Sequence, residues 1–144
     1  MFCNCTSLTT APDLPATTLA KYCYQAMFSA CTSLTITPEL PATTLADGCY
    51  NNMFSNCTSL TTSPELPATT LDRMCYYRMF DACTNLNYIK CLATNRSATD
   101  CTAYWVRNVS PTGTFIKHPD MNSWTTGAYG IPSGWTVKNA EVEQ

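Results

Sequence analysis

The chain has 144 residues, of which 12% are charged, and a formal net charge of -2. That length suits one domain able to bury a core, and the weak negative charge excludes the basic footprint of a nucleic-acid-binding protein. No apolar run approaches the length of a membrane span, and the opening MFCNCTSLTT lacks the basic and apolar regions of a signal peptide.

Along the chain, Met-Phe recurs at 1–2, 27–28, 53–54 and 79–80, a period of 26 residues. Cut there, the first three copies align without gaps, and the fourth, MFDACTNLNYIKCLATNRSATDCTAY, decays toward its end. Beside Met-Phe, four columns persist: Cys5, Cys31, Cys57 and Cys83; Leu8, Leu34, Leu60 and Leu86; Leu14, Leu40, Leu66 and Leu92; Cys23, Cys49, Cys75 and Cys101. A period in this range signals stacked units, none of which can bury its own apolar face. These columns are therefore the expected core.

Within a copy, the Thr-rich segment from Leu8 to Leu14 is spaced for a short strand that Pro15 ends. Leu19, Cys23 and Met27 then fall at i, i+4 and i+8, the spacing of one helical face. Each copy is expected to run as a short strand, a proline-bounded corner and one or two helical turns into the next Met-Phe.

The stretch MFSNCTSLTTSPELP resembles the units of BspA-like leucine-rich-repeat proteins, with an aromatic, a Cys and a Leu placed before the strand. The resemblance covers residues 1–104. It implies an α/β fold: a right-handed solenoid of about four 26-residue coils with a parallel sheet on its concave side. It also implies a binding or adhesion role at a bacterial surface, without enzymatic activity. Two departures are the 26-residue period, longer than the 23 commonest in that family, and Met-Phe in place of its usual Ala-Phe.

Residues 105–144 hold all three Trp, four of the five Gly and the single His. This shift of composition is expected of a β-rich cap that hides the last open edge. Thr114–Lys117 and Trp135–Lys138 read as strands joined through TTGAYGIPSG as a β-hairpin. At the other end the chain opens on a Met-Phe with nothing ahead of it. The first unit is thus expected to present an apolar end, covered by further protein or by self-association.

Ten cysteines would suggest a disulfide framework, but eight occupy the two columns, so the period explains their number. Buried thiols acting as small hydrophobes, bridges between adjacent units about 5 Å apart, and metal ligation all remain open. Zinc would need four ligands converging from close Cys/His pairs, and His118 stands alone between Lys117 and Pro119, expected in a loop. No Gly-rich phosphate loop and no column pairing a thiol with a base is present, so no catalytic residue and no cofactor are assigned.

Two columns are candidates for binding. Asp13, Glu39 and Glu65 occupy the same place in successive copies, with Cys91 ending the series; they form either a solvated row or a contact for a cation or basic partner. Tyr24, Tyr50 and Tyr76 offer either packing between units or a stacking surface for a sugar or protein partner. Tyr77 lies beside the last of them, in a variable strip with Lys21, Asp47, Arg73, Gln25, Asn51, Ala26, Asn52 and Arg78, expected on the outer side. The sequence thus predicts a non-catalytic module for binding a protein or glycan or for adhesion, and the resemblance implies that it is secreted or on a bacterial surface. The alternative is a structural or receptor-binding piece of a larger assembly, such as a phage tail, docking through its first unit.

Overall fold

The structure is a computed structural model in which residues 2–141 are described. Met1, which heads the Met-Phe column, and residues 142–144 of the expected cap lie outside the described residues.

The local backbone explains most of the architecture. Positive φ recurs at every fourth residue: Tyr22, Ala26 and Ala30; Gly48, Asn52 and Asn56; Met74, Arg78 and Ala82; Asp100, Tyr104 and Asn108. Each closes a four-residue turn, as where Cys23 N–H donates to Ala20 O at 3.2 Å and Met27 N–H to Tyr24 O at 3.2 Å. Positive φ at the third turn position is the type II arrangement. The amides of Tyr22, Tyr24, Ala26, Phe28 and Ala30 instead donate to the carbonyls of Asp47, Cys49, Asn51, Met53 and Ser55, at 2.7–3.0 Å. Local and long-range bonds therefore alternate along the segment, and residues about 26 apart lie side by side.

This overturns the expected α/β leucine-rich-repeat solenoid of four coils. Among the described residues there is no helix, and the only strands are three, all parallel in one open sheet. A right-handed helix cannot take a left-handed residue every fourth position, at about 1–2 kcal/mol each for non-glycine side chains. The spacing of Leu19, Cys23 and Met27 by four is the length of a turn, not the pitch of a helix. Gly48 takes this conformation without strain at φ +60, and a Cβ there would run into the ring of Tyr22.

The expected strands in the first three copies are reduced to single parallel bridges, Thr10↔Ile36 and Thr62↔Tyr88 among them. Two prolines per copy (Pro12 and Pro15, Pro38 and Pro41, Pro64 and Pro67) remove the amides a ladder needs. The fourth copy has none there, and Tyr88–Cys91 forms strand β1. Strand β2, Gly113–Lys117, pairs with it from Tyr88↔Thr114 to Cys91↔Lys117, and β3, Trp135–Asn139, pairs with β2 from Gly113↔Trp135 to Lys117↔Asn139. Both pairings are parallel, so the expected C-terminal hairpin is also corrected. Residues 118–134 form the long crossover that parallel strands require.

The core is built from columns of like residues. Phe2, Phe28, Phe54 and Phe80 stack with ring centroids 5.6, 5.6 and 5.7 Å apart. Tyr24, Tyr50 and Tyr76 stack at 6.0 Å, and the column continues through Trp105 at 5.9 Å to Trp124 at 5.4 Å. Phe115 from β2 meets both indoles edge-on. Leu34, Leu60, Leu86 and Leu66 are wholly buried. The second Leu column ends differently from expectation: Cys91, not Leu92, pairs with Leu66 and is buried, because the fourth copy is one residue shorter there.

Candidate functional site

The acidic column lies on the proline corners. Because each corner proline turns the chain outward, Asp13, Glu39 and Glu65 are all exposed, while the Leu that follows each of them points into the core. Two adjoining cavities open along this line. One, of about 550 Å³, is lined by Pro38, Glu39, Pro41, Pro64, Glu65 and Pro67. The other, of about 530 Å³, is lined by Asp13, Pro15, Thr17, Ile36, Glu39 and Pro41 among others. They share Glu39 and form one groove, with Ile36 exposed on its wall.

The shortened fourth copy changes the end of this column. Lys90, not Cys91, follows Glu65, and its Nζ lies 3.2 Å from Glu65 Oε1. Asp13 and Glu39 have no ion-pair partner among the described residues. Like charges about 5 Å apart repel by about 0.8 kcal/mol even in water. The two unpaired carboxylates therefore favour a cation beside them.

The tyrosine column packs between units along most of its length. Tyr50 and Tyr76 are buried with both faces stacked, and only Tyr24 is partly exposed. Burial raises the phenol of Tyr24 and, more strongly, those of Tyr50 and Tyr76. Their place one residue after an inward Cys did not reveal this, because in the turn series consecutive side chains need not point to opposite sides. For the same reason Asn51, expected outside, is buried.

All ten cysteines are free. Cys31, Cys57 and Cys83 are buried, and each thiol donates to the carbonyl of the Phe 29 residues before it, Phe2, Phe28 and Phe54, at 2.9, 3.1 and 3.0 Å. Burial pushes the thiols of Cys49, Cys57 and Cys91 up to about 12 and raises Cys75 and Cys83 further. A group held as the thiol is a poor nucleophile. Among the described residues no group of three or more His, Cys, Asp or Glu is placed to hold a metal ion. His118 sits in the turn after β2, its Nδ1 accepting from the amide of Asp120 at 3.0 Å.

Tyr77 does reach the surface, in company the sequence did not announce. Its ring meets Tyr104 edge-on at 6.4 Å, and Tyr104 meets Tyr129 at 6.2 Å. The guanidinium of Arg78 lies 5.3 Å from the Tyr77 ring centre and 5.5 Å from that of Tyr104. Arg78 and Tyr104 are 26 residues apart, so the period could have paired them; Tyr129, beyond the period, could not be placed.

Among the described residues no helix is long and apolar enough to cross a membrane. Comparison with protein-family models, curated proteins and solved structures yields no match. The BspA-like resemblance therefore rests on the quoted residues alone.

Proposed function

We propose that this protein is a non-catalytic binding module whose groove along Asp13, Glu39 and Glu65 accepts a basic segment of a partner protein. The observation that carries this reading is the groove itself: two joined cavities walled by prolines, with two carboxylates that lack a counter-charge among the described residues. Proline walls are rigid, so little conformational entropy is lost when a partner is seated. Columns in a parallel pairing are spaced about 4.8 Å apart, so the two unpaired carboxylates, Asp13 and Glu39, stand about 5 Å apart, within reach of a single basic side chain. An extended polyproline-type segment rises about 9.3 Å in three residues, so basic residues at every third position bring one cation to this pair in any register. The resemblance of MFSNCTSLTTSPELP to BspA-like proteins supports a setting at a bacterial surface or outside the cell.

The test is titration of the full chain with a peptide carrying Lys at every third position, against the same peptide with Gln. Binding of the Lys peptide alone, weakened at least tenfold by Glu39→Gln and strongly salt-dependent, is the expected result. Equal affinity for both peptides, or no effect of Glu39→Gln, would overturn the reading.

A further inference from the structure

The second surface lies on the opposite chemistry. Tyr77, Tyr104 and Tyr129 form a run of three rings, and two guanidinium groups pack on them: Arg78 between Tyr77 and Tyr104, and Arg107 at 5.1 Å from the Tyr104 ring centre. The two arginines are not equivalent. Arg107 is matched by Asp81, with Nε to Oδ1 at 3.1 Å and Nη2 to Oδ2 at 2.7 Å. Arg78 has no carboxylate within ion-pair distance among the described residues, and its buried Nε has no hydrogen-bond partner.

The backbone fixes these groups. Arg78 and Tyr104 hold left-handed residues of the turn series, φ 51 and 53, and their amides bond to Ala103 O at 3.0 Å and to Ala128 O. Tyr104 and Arg107 also line a cavity of about 510 Å³ with Asn108, Ser110, Thr126 and Ser133, and Tyr77, Arg78 and Tyr129 lie outside that lining. Tyr129 is 54% exposed, so the outermost ring presents a free face.

Each part asks for a different feature of one ligand. The exposed face of Tyr129 can stack on a flat, partly apolar ring while leaving its edge wet. A guanidinium lacking its anion, already partly desolvated by two rings, is matched by a carboxylate, which it binds with two parallel hydrogen bonds. We infer that Tyr77, Arg78, Tyr104 and Tyr129 form a binding site for an acidic saccharide, with its carboxylate on Arg78 and a sugar face on the tyrosines. This site goes beyond the acidic groove and uses none of its residues. A polyanionic peptide would satisfy Arg78 but leave the outer ring, Tyr129, unused.

The experiment is calorimetric titration of the full chain with trigalacturonate and sialyllactose, each beside its neutral counterpart, galactotriose and lactose, and with a polyglutamate peptide. At least one acidic saccharide should bind at least tenfold more tightly than its neutral counterpart and than the peptide. Arg78→Asn should bring the acidic ligand down to the level of the neutral one. Asn tolerates the left-handed backbone and already holds it at the matching position, Asn52, so the fold is retained. Tyr129→Ala, at an exposed site, should weaken binding at least fivefold, and Glu39→Gln should leave it unchanged. Failure of both acidic saccharides to bind, equal binding of the neutral sugars, equal binding of polyglutamate, or indifference to both Arg78→Asn and Tyr129→Ala would each overturn the inference.

Discussion

Residues 2–109 and residues 110–141 solve the same packing problem with different materials. In the first, identical residues sit side by side: rings on rings, thiols under the carbonyls of the preceding Phe, and amides bonded 25 residues ahead. In the second, unlike large residues interlock. Trp105 from the first region meets Phe115 and Trp124 of the second, its Nε1 donating to Gly130 O at 2.6 Å, and Trp135 Nε1 donates to Ser110 O at 2.8 Å. The difference teaches where specificity resides. A column of like residues tolerates a shift by a whole period, whereas the indole contacts exist in only one register, so the second region fixes the alignment of the first.

All ten thiols belong to the first region, and alkali separates the two regions most sharply. The thiols of Cys49, Cys57 and Cys91 rise from about 9 in the unfolded chain to about 12 in the folded one. Folded-state stability is thus fully present below pH 9 and is lost as pH rises toward 12, because only the unfolded chain releases those protons. Each thiol lowers stability by about 1.4 kcal/mol per pH unit in that window. Urea titrations at pH 8, 10 and 11 should show the midpoint collapsing, and a flat profile would remove the buried-thiol account. Next in size is Phe54→Ala, which opens the middle of a ring column; about 3–5 kcal/mol should be lost, as for other large buried aromatics. Trp135→Ala, at the single buried side chain of the edge strand β3, should cost less because that edge can relax around it, and leave the Phe column's near-ultraviolet signal in place. Equal losses would mean that the two regions do not differ in this way.

The sequence carried the columns but not the conformation that lines them up. Which residues face inward was legible for Phe28, Phe54, Phe80 and most of the Cys and Leu positions, because a period reports burial whatever the backbone does. A spacing of four could not separate a helix from consecutive turns, since both return a side chain to the same side at that interval. Only the frequent Asn and Gly at positions 48, 52 and 56 hint at left-handed residues; Tyr22, Ala30 and Met74 give no such hint. Of the candidate sites, the acidic groove followed from its column, whereas Lys90 was hidden by a one-residue deletion that a chance Leu92 disguised. The cluster around Arg78 needed three dimensions, because Tyr129 reaches it from beyond the period.

The left-handed residues offer a finer test. Ala30 has φ 59, a conformation that costs an L-residue about 1–2 kcal/mol, of which glycine's added chain entropy offsets about 0.5–1. Ala30→Gly should therefore stabilise the first region by about 0.5 kcal/mol in urea denaturation, where glycine in a helix would destabilise it by a similar amount. The sign of the change alone distinguishes turns from a helix.

The smallest stability effect should accompany a clear functional one. Lys90 lies 3.2 Å from Glu65 with both side chains partly exposed, and such pairs contribute about 0.2–1 kcal/mol. Lys90→Gln should thus barely move the urea midpoint. Yet Lys90 is the cation that ends the acidic column, at the junction where copies without a proline-free strand give way to β1. Removing it leaves Glu65 as bare as Asp13 and Glu39, extending the unpaired acidic line from two carboxylates to three. Affinity for the Lys-bearing peptide should rise severalfold, with a steeper dependence on salt, while affinity for an acidic saccharide at Arg78 stays the same. An unchanged peptide affinity would mean that Glu65 takes no part in the groove, and that the ligand is held by Asp13 and Glu39 alone.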